Sequence, residues 1–145
     1  MTKELSIENI KKELINKISN NSEILEYFEN HLCDDHKKMT RYLREYGTKY
    51  IKDNCIVPYD MSMSGYCNFI TVEVTEDEMV IYEKTEKHYT ITIMVNLEDK
   101  NAMGVISVIL GNIATELYPD RSNYRNIVSS IEDRQLVRVV QFTIK

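Results

Sequence analysis

Residues able to do chemistry gather most densely in one short stretch, His31-x-Cys33-x-x-His36, with Asp34 and Asp35 between them. Cys and His are the ligands that zinc prefers in tetrahedral sites, and Cys55 or Cys67 would supply a fourth. The spacing argues against such a centre. Helical ligands share a face at i and i+4, and no C-x-x-C knuckle is present. The stretch therefore reads as a polar corner between helices carrying one small thiol, which packs as a hydrophobe. A thiol nucleophile would pair Cys55 or Cys67 with His88, because a thiolate needs a nearby base or positive field at neutral pH. No local signature surrounds either cysteine, and His88 falls at an expected strand start. We expect no metal, no cofactor and no catalytic residue.

Phosphate loops need clustered glycines so that backbone N–H groups approach the anion. Gly65, Gly104 and Gly111 are isolated. One arrangement keeps an enzyme as an alternative. A strand over 88–96, then Lys100-Asn101-Ala102-Met103-Gly104, then a helix is similar to the order in which acyl-CoA acetyltransferases cradle pyrophosphate. The usual second glycine is missing here and the spacing differs by about one residue.

The remaining candidates are charged. Residues 36–53 hold Lys37, Lys38, Arg41, Arg44, Lys49 and Lys52 against Glu45 and Asp53, a local excess of four positive charges. The whole chain carries −5, so the remainder is strongly acidic. A basic helix on an acidic body disfavours direct nucleic-acid binding and suits local electrostatic docking. Lys38, Arg41, Arg44, Lys49 and Lys52 are thus expected to bind a partner. Tyr42, Tyr46 and Tyr50 offer stacking surfaces but fall on the apolar face of the same helix. Arg138 joins the set. In strict alternation it shares a side with Leu136, Val140, Phe142 and Ile144, where it would bind a partner's carboxylate or guard an edge strand.

The elements that position these residues follow from periodicity. Ser6 caps a helix carrying Ile7, Ile10, Leu14, Ile15 and Ile18, which Asn20-Asn21 end. Ser22 caps a second, with Ile24, Leu25, Phe28 and Leu32. Asp34 or Asp35 caps a third, running to about Asp53, whose Met39, Tyr42, Leu43, Tyr46 and Tyr50 lie within ~100° of arc. Residues 54–67 are an expected loop, broken by Pro58, Ser62, Ser64 and Gly65. Strands near 68–75, 79–84 and 88–96 then form an antiparallel meander, with polar turns at Glu76-Asp77-Glu78 and at 84–87. Period-two alternation of Ile70, Val72 and Val74, and of Tyr89, Ile91, Ile93 and Val95, gives this sheet one apolar face and one wet, acidic face. Asn96 or Asp99 opens a helix over 98–117 that covers the apolar face. The tail is read as a hairpin, 124–131 with a strand through Val140, Phe142 and Ile144, over a helical turn. The expectation is a single α+β domain over 1–145, N-terminal helices followed by βββ-α-ββ.

Its 145 residues suffice for one core, and 43% hydrophobic with 28% charged residues are globular values. No apolar run approaches the ~20 residues that span a bilayer. The polar start Met1-Thr2-Lys3-Glu4 and an odd number of cysteines, three, suggest a reduced, cytoplasmic protein without a signal peptide. Seventeen isoleucines and twelve asparagines against two alanines and no tryptophan suggest an AT-rich genome. Together these point to a non-enzymatic regulatory protein that binds another protein and forms a homo-oligomer. Its expected role is a phage- or mobile-element-encoded inhibitor, whose acidic surface occupies the basic channel of a nucleic-acid-binding enzyme. A third reading is a small acidic dimeric chaperone, whose strand and helix order is similar. The closing helix of those chaperones is missing here.

Overall fold

The computed structural model describes residues 5–30, 56–58, 69–130 and 136–145. The described residues form an α+β fold in which helices cover one face of a mainly antiparallel sheet. Helix α1 (Ile7–Ser19) starts where Ser6 Oγ accepts the Asn9 N–H at 3.1 Å. Its Ile10, Leu14 and Ile18, at helical spacing, are fully buried. Helix α2 (Ser22–Asn30) is capped by Asn21, not by Ser22. The Asn21 Oδ1 accepts the Ile24 N–H at 3.1 Å, so one of the two asparagines expected only to end α1 also opens α2.

The sheet runs β1-β2-β3-β5-β4. Strand β1 (Ile56–Pro58) lies inside the expected loop and pairs parallel with β2 at Ile70–Val72. Strands β2 (Phe69–Ile81) and β3 (Lys84–Asn96) form one long hairpin. The expected three-strand meander is therefore corrected: Glu76-Asp77-Glu78 is strand, and the turn is Tyr82-Glu83. Both turn residues sit at positive φ, 50° and 67°, the geometry that matches the twist of a two-residue hairpin. Asn and Gly are the usual residues there, and their absence hid the turn from the sequence.

Helix α3 (Lys100–Leu117) begins at Asp99, whose carboxylate accepts the Asn101 and Ala102 N–H groups at 3.0 and 3.1 Å. Strands β4 (Ser122–Ser130) and β5 (Leu136–Ile144) are antiparallel, as the hairpin reading has it. A bulge between Ser122 and Arg125 includes Asn123 at φ 54°.

The core lies where α1 and α3 cover one sheet face. Ile70, Val72 and Val74 of β2, Tyr89, Ile91, Ile93 and Val95 of β3, and Val140, Phe142 and Ile144 of β5 all point there and are buried. Polar ties fix the helices on this face. Tyr89 Oη donates to the Leu5 carbonyl at 2.9 Å, and Tyr118 Oη to Glu13 at 3.3 Å. Burial first, then the Glu13 carboxylate, hold the Tyr118 phenol protonated well above its ordinary range. Opposite this layer the sheet is only partly wet. Thr92 and Gln141 meet in a cross-strand hydrogen bond of 3.1 Å, yet Phe69, Thr71 and Val137 on that side are buried.

Two stability predictions follow from these local geometries. Asp99→Ala leaves two first-turn N–H groups of α3 without their carboxylate. It should cost about 1 kcal/mol in denaturant unfolding with an unchanged m-value. Replacing Tyr82-Glu83 by Asn-Gly removes two left-handed side chains, so the double variant should unfold about 1 kcal/mol harder than the parent. A loss of stability would show that the turn is held by its own side chains.

Candidate protein-contact surface

The β2–β3 hairpin outruns the sheet that supports it. On one side β1 pairs only with Ile70–Val72, and on the other β5 reaches only Tyr89–Val95. From Asp77 and His88 onward the two strands pair only with each other among the described residues, through Ile81 and Lys84. At ~3.4 Å per residue this ribbon projects roughly 17 Å past the last residue paired with β5. Its exposure rises accordingly. Met79 is 47%, Val80 74% and Tyr82 95% exposed, and Ile81 is also exposed.

Charge accompanies this apolar tip. Glu76, Asp77, Glu78, Glu83 and Glu86 outnumber Lys84 and Lys87 on the arm. Lys87 lies 3.7 Å from Glu76, and Glu86 takes both His88 at 3.1 Å and Lys145 at 3.8 Å. Asp77, Glu78 and Glu83 form no ion pair among the described residues, so the arm presents uncompensated negative charge beside apolar side chains. Residues 79–84 read from sequence as an inner strand of the meander. The signal pointing the other way was Met79-Val80-Ile81, a run without alternation and enclosed by acidic residues at 76–78 and 83–86.

Arg138 sits on β5 with Val140, Phe142 and Ile144, as alternation requires, and is half-buried. Strand β4 pairs outside β5, so β5 is an interior strand and the edge-guard reading of Arg138 is corrected. Its guanidinium lies against Gly104 of α3, where Nη2 would stand 3.7 Å from an added Cβ. Its Nε is buried and has no hydrogen-bond partner among the described residues. The same flank of α3 continues as Lys100, Ser107 and Gly111. Lys100 Nζ donates to the Leu97 and Leu136 carbonyls, Asn126 Nδ2 donates to Ser107 Oγ at 3.4 Å, and Tyr124 lies over Gly111 where a Cβ would collide with its hydroxyl.

The other candidates separate. Lys38, Arg41, Arg44, Lys49 and Lys52 lie outside the described residues, as do His31, Cys33, His36, Cys55 and Cys67. Among the described residues no group of three or more His, Cys, Asp or Glu is placed to hold a metal. His88 contacts Glu86, two residues earlier on the same strand. At the start of α3, where the acetyltransferase-like alternative would place a pyrophosphate, the Asp99 carboxylate accepts the Asn101 and Ala102 N–H groups. Among the described residues no helix is long and apolar enough to cross a membrane. No protein-family model, curated protein or solved structure matches the chain.

Proposed function

We propose that this protein acts by contact and not by catalysis, and that the β2–β3 arm is its contact element for a basic protein surface. The observation that carries this reading is the exposure of Val80 and Tyr82 on an arm whose carboxylates exceed its lysines. Apolar side chains held away from a core lose favourable burial unless another surface covers them. Aromatic and aliphatic groups at the centre with charge around them is the anatomy of protein interfaces. The negative rim would steer a positive partner and set its register.

A narrower form of the proposal is an inhibitor encoded by a phage or mobile element and working in the cytoplasm. The arm is long and acidic enough to enter the basic channel of a nucleic-acid-binding enzyme, and the AT-rich codon bias suits such a source. The basic segment at 36–53 is proposed as a second docking site, for an acidic partner surface, through Lys38, Arg41, Arg44, Lys49 and Lys52.

Affinity capture from the native host, with the captured protein then purified for titration, tests the arm. Asp77→Lys combined with Glu78→Lys should weaken binding about tenfold or more, and added salt should weaken the parent complex in parallel. Tyr82→Ala should weaken it as well while leaving unfolding within ~0.5 kcal/mol, since the ring is exposed. Equal affinity of all three proteins for the captured partner would remove the arm from the interface. Lys38→Glu with Arg41→Glu tests the second site: partner affinity should fall with little change in stability, and unchanged affinity would reduce that segment to a solvated surface.

A further inference from the structure

The lateral edge of the sheet at β4 carries a separate unmet requirement. Strand β4 is its edge, and among the described residues no strand pairs with its outer side. Edge strands are usually protected by lysine, proline or inward charge. Strand β4, Ser-Asn-Tyr-Arg-Asn-Ile-Val-Ser-Ser, has a single arginine and no proline. It exposes apolar groups on both sides: Val128 (49%) toward the helical layer and Ile127 (48%) toward the other face. Tyr124 and Leu136 are exposed nearby, and Val108, one helical turn from both Gly104 and Gly111, lies on the flank of α3 nearest β4.

We propose that β4 pairs antiparallel with β4 of a second copy across a twofold axis, joining two five-stranded sheets into one. The strand suits itself as a partner. A register centred on Asn126 pairs the residues 124–128 on either side of it and sets Val128 of one copy opposite Tyr124 of the other, an aromatic and β-branched pair, with the Ser122–Asn123 bulge at its end. Arg125 then faces Ile127, so the arginines do not oppose one another. Val108, Tyr124, Ile127, Val128 and Leu136 together offer on the order of 400 Å² of exposed surface, half of the roughly 800 Å² each partner contributes to a stable interface. The outer backbone edge of a nine-residue strand, about 30 Å long, supplies most of the rest. A twofold contact also closes at two copies and leaves no free β4 edge. This interface is distinct from the arm and leaves the arm uncovered.

Sedimentation equilibrium of the full chain at about 100 μM tests the proposal, the expected mass being twice 17.1 kDa. Ile127→Lys with Val128→Lys should raise the dimer dissociation constant about tenfold or more. Both side chains are half-exposed, and an unchanged thermal melt extrapolated to monomer would confirm that the fold persists. Should that variant fail to fold, hydrogen exchange on the parent replaces it, with β4 amides gaining protection as concentration rises. Tyr82→Ala with Val80→Lys should stay dimeric. A monomeric parent, open-ended assembly, dimers that survive the β4 substitutions in a folded protein, β4 protection independent of concentration, or monomers produced by the arm substitutions would each overturn the proposal. The last result would place the arm of one copy on the edge of the next.

Discussion

Ten side chains from three strands on one sheet face, Ile70 and Val72 through Ile144, must be kept from water, and this requirement organises the molecule. Burying an aliphatic side chain is worth ~1.5–3 kcal/mol, so the face cannot be left open. Helix α1 answers over β1 and β2, and α3 answers over β3 and β5. Each helix carries its own matching stripe: Ile10, Leu14 and Ile18 in α1, and Met103, Ile106, Leu110 and Ile113 in α3. The polar ties at Tyr89 and Tyr118 set where the helices lie along the sheet, but the apolar face is what brings them there.

The same strands continue beyond the reach of those helices, and their chemistry changes where the cover ends. Along β2 the buried positions stop at Val74, and an acidic run, Glu76-Asp77-Glu78, follows. Along β3 the alternating burial begins only at Tyr89. A two-stranded ribbon alone is marginally stable in water, so cross-strand pairs such as Glu76 with Lys87 have to hold it in register. Val80 and Tyr82 add nothing to the core.

How far the fold could be read from the sequence follows the same boundary. Ile70, Val72, Val74 and the Tyr89–Val95 series revealed strand and face together, because a core imposes alternation on residues that touch it. At 76–83 no core is present, alternation lapses, and a charged strand looks like a turn. Asp99 and Ser6 were legible as caps because capping is local, although Asn21 displaced Ser22 through the same local chemistry one residue earlier. Strand β1 was invisible because three residues ending in Pro58 carry no period. The side on which Arg138 points was readable from parity. That it faces Gly104, and that β4 makes β5 an interior strand, depends on how α3 and the tail hairpin meet. The exposed arm is not legible from periodicity because its apolar residues do not belong to the core.

The arm and the β4 edge differ in what holds them, and this explains why apolar groups remain outward at both. On its core side α3 meets β3 and β5 through aliphatic contacts. On its β4 side it presents Lys100, Gly104, Ser107 and Gly111, one step of three or four residues apart, and receives Arg138, Asn126 and Tyr124. Small residues there let the sheet approach closely, since Tyr124 occupies space that any Cβ at Gly111 would need. A contact made from glycine, serine and amide hydrogen bonds does not bury aliphatic side chains. Val128 is therefore left at the surface by the way β4 is attached, and Ile127 lies on the face that α3 does not cover, just as Val80 and Tyr82 are left exposed by the length of the hairpin. Within the sheet, acidic residues lie on β2 and β3, most of them on the arm, while the described residues of β4 and β5 carry Arg125 and Arg138 and no acidic side chain. The arm and the β4 edge therefore differ in charge as well as in place, which is what the two proposed contacts need if they are to take different partners.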